Sequence, residues 1–129
     1  MLKKACMKRD MELIRSILLD IEERKPAYEC WDPKPFLEGK DAAVVAEHMN
    51  LLISEGYLTG TVDYIPQSNS CFFSAIDLTW KGYEFLSLSR ENRVWKVAKD
   101  KILDAGLAFS MPLLMEYLKN VARKYLNLD

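Results

Sequence analysis

Three cysteines and one histidine are the side chains best suited to nucleophilic or metal chemistry in this chain, and their spacing suits neither. Cys6 and Cys30, the nearest pair of thiols, are 24 residues apart. A structural zinc site wants four Cys or His ligands, usually in close pairs. A catalytic thiol needs a base beside it and an Asn or Asp to orient that base. His48 lies on the apolar side of a helical pattern, where a packed imidazole with one hydrogen-bonded nitrogen is the plainer role. Cys71, at the start of a strand pattern, reads as a buried thiol rather than a reactive one. Gly39, Gly56, Gly60, Gly82 and Gly106 are scattered, so no glycine-rich phosphate loop is present. Glu22 and Glu23 fall on an exposed helix end and read as a solvated face rather than an acid and base pair. These residues point to a non-enzymatic protein with no cofactor and no metal.

Charge is more informative. Between Lys40 and Lys81 there is no lysine and no arginine. Residues 1–25 hold seven bases and five acids, residues 26–79 two bases and eight acids, and residues 80–129 nine bases and six acids. The segments therefore carry +2, −6 and +3 within a chain of net charge −1. That balance gives no general attraction to nucleic acid or to an anionic membrane.

The elements that must carry these charges follow from periodicity. Met7 to Arg24 predicts an amphipathic helix with Met11, Ile14, Ile17, Leu18 and Ile21 on one side, Asp10 as an early-turn acid and Pro26 beyond its end. Tyr28 to Gly39 is rich in breakers; Cys30-Trp31 and Phe36-Leu37 are expected in short extended pieces at a sheet edge. Asp41 is placed to cap a helix running to Glu55, and Gly56 to take the left-handed position after it. Tyr57 to Leu78 predicts a β-hairpin, with Leu58, Val62 and Tyr64 alternating on one arm and Phe72, Ile76 and Leu78 on the other. Its connection, Pro66-Gln67-Ser68-Asn69-Ser70, has turn composition. Thr79 caps the next helix, on which Trp80, Tyr83 and Leu86 share a side. Arg90 to Asp104 continues it or forms another. Gly106 breaks that pattern, and Ser110 with Pro112 opens a final helix lined by Leu114, Leu118, Val121 and Tyr125. Helical phase puts Trp80 and Trp95 in the core; Trp31 fits core and interface equally.

The order of helix, extended segment, helix, hairpin and helices predicts an α+β, mostly α fold, namely a winged-helix-like core with a β-hairpin wing and a C-terminal helical extension. A single domain over 1–129 is expected, with the core at about 7–90 and the C-terminal helices at about 91–127. A chain of 129 residues, half of them hydrophobic, is long enough for one such core. The odd, widely spaced cysteines fit reduced thiols. With no apolar stretch of signal-peptide or membrane-spanning length, they predict a cytoplasmic protein.

Several blocks resemble the bacterial and prophage family known as domain of unknown function 2513. They are Met7-Lys8-Arg9-Asp10-Met11-Glu12-Leu13-Ile14-Arg15, Leu78-Thr79-Trp80-Lys81-Gly82-Tyr83-Glu84-Phe85-Leu86, Val94-Trp95 and Lys124-Tyr125-Leu126-Asn127-Leu128. The resemblance implies a winged-helix-like fold and occurrence in prophages. It brings no catalytic residue to carry over.

Winged-helix domains usually meet DNA through the helix and wing that here carry only acidic charge. Asp41, Glu47, Glu55 and Asp63 would repel phosphates, because cationic contacts drive affinity for DNA through counterion release. They form a candidate acidic interaction face instead. Positive charge gathers at Lys8 and Arg9 and at Arg93, Lys96 and Lys99, a candidate basic contact face interleaved with Glu91, Asp100 and Asp104. Two functional classes fit. The first is a regulatory or protein-interaction module whose partner is another protein or a second copy of itself; the breadth of apolar residues from Leu113 to Val121 makes the last helix a dimer candidate. The second is a DNA-binding regulator that uses the basic surfaces. The charge pattern favours the first.

Overall fold

A computed structural model describes residues 10–26 and 28–126, with Leu126 described for its backbone only. The fold is mostly helical, with one antiparallel two-stranded hairpin in its middle and a long helix at its C-terminal end. The chain groups into two compact units, one ending at Gly82 and the other beginning at Tyr83.

In the first unit, α1 spans Met11–Arg24 and buries Met11, Ile14, Ile17, Leu18 and Ile21, the stripe its spacing foretells. Its start corrects the sequence reading. Asp10 is not a first-turn acid but the N-cap: its backbone is extended, and its carboxylate accepts from the Glu12 and Leu13 amides at 2.9 and 3.2 Å. The Met7–Arg9 portion of the expected helix lies outside the described residues.

The breaker-rich segment also differs from expectation. No strand forms there; Lys34–Leu37 makes the one-turn helix α2, with Pro35 in the early position where its missing N–H costs nothing. Trp31 is buried all the same, at 4% exposure. Its ring meets Phe36 and Phe73 at centroid distances of 6.2 and 5.8 Å. Its indole N–H donates to Asp20 Oδ2 at 2.9 Å. Arg24 grips the same carboxylate through Nε and Nη2, and Nη2 also donates to the Asp32 carbonyl at 2.8 Å. A four-residue polar network thus pins an irregular segment to α1.

The helix α3, Ala42–Ser54, is capped by Asp41, whose carboxylate accepts from the Ala43 amide at 2.9 Å. It ends where Gly56 takes φ +87°. Its last carbonyls find partners in the start of α4, Trp80–Ser89: Thr79 Oγ1 donates to the Gly56 carbonyl at 2.6 Å, and Lys81 Nζ to the Glu55 carbonyl at 3.0 Å. Thr79 caps α4 as expected, accepting from the Gly82 amide.

The hairpin pairs β1, Leu58–Ile65, with β2, Ser70–Leu78. Simple alternation puts Phe72 inward with Ile76 and Leu78, and the structure overturns that. Between the Thr59↔Asp77 and Thr61↔Ser74 pairs the register shifts, so Gly60 faces two residues of β2. The extra residue is Ala75, at φ +56°. A bulge of this kind advances the side-chain phase by one. Cys71 and Phe73 therefore turn inward, and Phe72 turns to solvent at 63% exposure. Gly60 is required at the bulge: a Cβ there would sit 2.7 Å from the Ser74 carbonyl oxygen and 2.8 Å from that of Ala75.

In the second unit, α5 spans Asn92–Asp104, capped by Glu91, and α6 spans Met111–Leu126. Arg90 is thus not helical in α5, because the cap falls one residue later. Ser110 Oγ accepts from the Leu113 amide at 3.2 Å, as a helix-opening serine should. The core holds Phe85, Leu86, Val94, Trp95, Ala98, Ile102, Met111, Leu114, Leu118 and Val121. Phe85 meets Trp95 edge to face, with centroids 6.0 Å apart.

Further aromatic expectations fail: Tyr83, expected on one side of α4 with Trp80 and Leu86, is 47% exposed while Leu86 is buried. Trp80 is 91% exposed rather than buried, and Tyr125 is 42% exposed rather than on the packed side of α6. Trp80 is the first residue of its helix, where one turn of periodicity carries little weight.

Candidate functional site

The four acids of the candidate face do not converge. Asp41 sits at the N-terminal end of α3, and Glu55 is the residue that closes its C-terminal end. At 1.5 Å per residue those ends are about 20 Å apart. Glu47 lies between them, exposed, in line with Asn50 and Ser54 on the solvent side of α3. Asp63 lies on the outward face of the hairpin, directly opposite Phe72. The arrangement is an extended acidic field, not a catalytic pocket.

The two cations that bracket this stretch are both occupied. Lys40 Nζ donates to the Phe36 carbonyl at 2.9 Å and lies 4.2 Å from the centroid of its ring. Lys81 Nζ, bound to the Glu55 carbonyl, lies 4.8 Å from the Tyr57 ring centroid.

The basic candidates are further reduced by their surroundings. Lys8 and Arg9 lie outside the described residues. Lys96 is in an ion pair with Asp100 at 2.9 Å, and the hydrogen bond to that carboxylate, with its charge, pushes the Lys96 ammonium up. Lys99 Nζ lies 6.0 Å from the Trp95 ring centroid. Arg93 is exposed.

His48 is 1% exposed, and both ring nitrogens are bonded rather than one. Nε2 accepts from the Asp10 amide at 2.8 Å, so the proton is on Nδ1, which donates to the Val44 carbonyl at 2.8 Å. This imidazole is a structural tie between α1 and α3. Cys71 Sγ donates to the Ala42 carbonyl at 3.1 Å. Burial, with Asp41 nearby, pushes its thiol above the usual range, the reverse of an activated nucleophile. Among the described residues, no three His, Cys, Asp or Glu side chains gather to hold a metal ion. No helix among them is long and apolar enough to cross a membrane.

Sequence reasoning missed the Asp20–Arg24–Trp31 network and the exposed Phe72–Asp63 pair. The spacing of Asp20 and Arg24 on a helix was an available signal for the first. For the second, Gly60 within a strand pattern was the only hint of a bulge.

The fold defines a small, mostly helical α+β protein with a two-stranded hairpin in the middle of its chain and a long C-terminal helix. The chain belongs to the domain of unknown function 2513 family: that family's model, described as a hypothetical protein, matches residues 8–108. A relative from Haemophilus influenzae, described as an uncharacterized protein, is 32% identical over 120 residues, covering 93% of this chain and 99% of its own. No solved structure matches.

Proposed function

We propose that this chain is a non-enzymatic, cytoplasmic, regulatory protein-interaction module of prophage type, with a winged-helix-like arrangement whose α3 and hairpin meet a cationic protein partner. The observation that carries the reading is the charge of that stretch. Residues 41–80 hold no lysine or arginine, yet they form both α3 and the hairpin. The flanking Lys40 and Lys81 are turned onto carbonyls and rings of their own chain. A polyanion approaching this surface meets repulsion and releases no counterions. A cationic protein surface meets the complementary field, which speeds association and selects partners.

A dimer through α6 is the weaker form of this reading. Leu114, Met115, Leu118 and Val121 are already buried within one chain, leaving Leu113 and Tyr117 half-exposed. Light scattering at micromolar concentration tests it, and the monomer mass is the expected result.

DNA binding through α5 is the second reading, favoured by the +3 charge of residues 80–129. Titration of fluorescent duplex DNA at rising salt distinguishes the two. The interaction reading expects no duplex binding at physiological salt. Salt-dependent binding that is weakened by Lys96→Glu with Lys99→Glu would replace it with the DNA reading.

A further inference from the structure

We infer that the outward face of the hairpin recognises arginine side chains of a protein partner, with Phe72 as the platform for the guanidinium and Asp63 as its carboxylate. This deepens the interaction-module reading and rests on it. Phe72 and Asp63 are direct cross-strand partners. Opposed residues of an antiparallel pair have Cβ atoms about 5 Å apart and point to the same face. Phe72 is exposed, and Asp63 is exposed beside it.

The bulge is what creates the pair. Without Ala75, Phe72 would turn inward and Cys71 would take the solvent side. Thr61 and Ser74, the next outward pair, add only hydroxyls. Around Phe72 the face therefore offers one ring and one unengaged carboxylate; its other carboxylate, Asp77 opposite Thr59, is already met by Lys25 at 3.8 Å.

Three other rings are met by the chain's own cations. Lys40 lies over Phe36, Lys81 over Tyr57 and Lys99 over Trp95. Among the described residues, no cation lies over Phe72 and no ion pair engages Asp63. A ring face beside a carboxylate is the arrangement a guanidinium fills best: its plane stacks on the ring while its edge donates to the two carboxylate oxygens. An ammonium is a compact, more strongly hydrated charge and cannot do both. The occupant is thus an arginine-bearing protein segment rather than a merely basic one.

The test titrates a nona-arginine and a nona-lysine peptide into the full chain and into Phe72→Ala, Asp63→Asn and Glu116→Gln variants, followed by calorimetry and backbone NMR shifts. Both altered hairpin side chains are exposed, so the variants retain the fold, which circular dichroism checks. Preference for arginine over lysine of about fivefold is expected, the size of an exposed cation–π contact. Phe72→Ala should erase the preference, Asp63→Asn should weaken arginine binding more than lysine binding, and Glu116→Gln should change neither. Shifts should centre on residues 61–74. Equal affinity for the two peptides, or a preference that survives Phe72→Ala, overturns the inference and leaves the acidic-face reading standing. If neither peptide binds the unaltered chain, the interaction reading falls with it.

Discussion

His48 Nε2 accepts the backbone N–H of Asp10 at 2.8 Å, across 38 residues of sequence. Asp10 is the N-cap of α1, so one imidazole both fills the α1–α3 interface and satisfies a helix-terminal amide. Accepting at Nε2 requires that nitrogen to be unprotonated. Replacing His48 with leucine keeps the bulk but leaves the Asp10 amide without its partner. The expected loss is about 1 kcal/mol, the net worth of one hydrogen bond made by a part-buried donor, read from urea unfolding. A variant as stable as the parent would show that water replaces the imidazole without penalty.

Asp20 holds Trp31 and Arg24 at once. Asp20→Ala should release the Tyr28–Gly39 segment and expose the Trp31 indole. In a Trp80→Phe background, which removes the solvent-exposed indole, the emission maximum should shift to the red. Stability should fall by about 1–3 kcal/mol, because a hydrogen-bonded ion pair loses one member and a buried N–H its acceptor.

The bulge makes opposite demands on its two sides. Ala75 has φ +56°, a region costly for a residue with a Cβ, so Ala75→Gly should stabilise the chain by roughly 0.5–1 kcal/mol. Gly60→Ala should destabilise it by about 1–3 kcal/mol or more, since the added methyl meets two backbone carbonyls. Paired thermal melts read both signs; a stabilising Gly60→Ala would mean the bulge is not where the register shift puts it.

The thiols should differ in rate. Cys30 is exposed, whereas Cys71 is partly buried with its thiol pushed up by burial and by Asp41. Iodoacetamide followed by peptide mass spectrometry should label Cys30 first near neutral pH, with Cys71 labelling rising at more alkaline pH. Asp41→Asn should speed Cys71 modestly by removing the smaller of the two causes. The linkage has a defined sign: the folded thiol binds its proton more tightly than the unfolded one, so this group's contribution to stability is present at neutral pH. It is lost as pH rises through the ordinary thiol range and above.

The sequence was most legible where hydrophobic spacing runs long. The buried stripe of α1, the cap and end of α3, and the opening serine of α6 follow from local rules that one segment satisfies by itself. Trp80 was misplaced because it stands at a helix start. Phe72 was misplaced because a single inserted residue inverts every side chain beyond it. Trp31 was undecided because its burial depends on Asp20 of α1 and Phe73 of β2, which no local pattern brings to it.

By itself the amino-acid chain determined the long helices, the hairpin, the family and an interior stretch of one charge sign, because these depend on residue order and short-range periodicity. Only the tertiary structure decided where that charge stands. It spread Asp41, Glu47 and Glu55 along one helix, tied the exposed Lys40 and Lys81 to carbonyls of their own chain, and set Phe72 beside Asp63. Side-chain neighbours of that kind depend on strand register and long-range packing, and a one-residue bulge is enough to exchange one set for another.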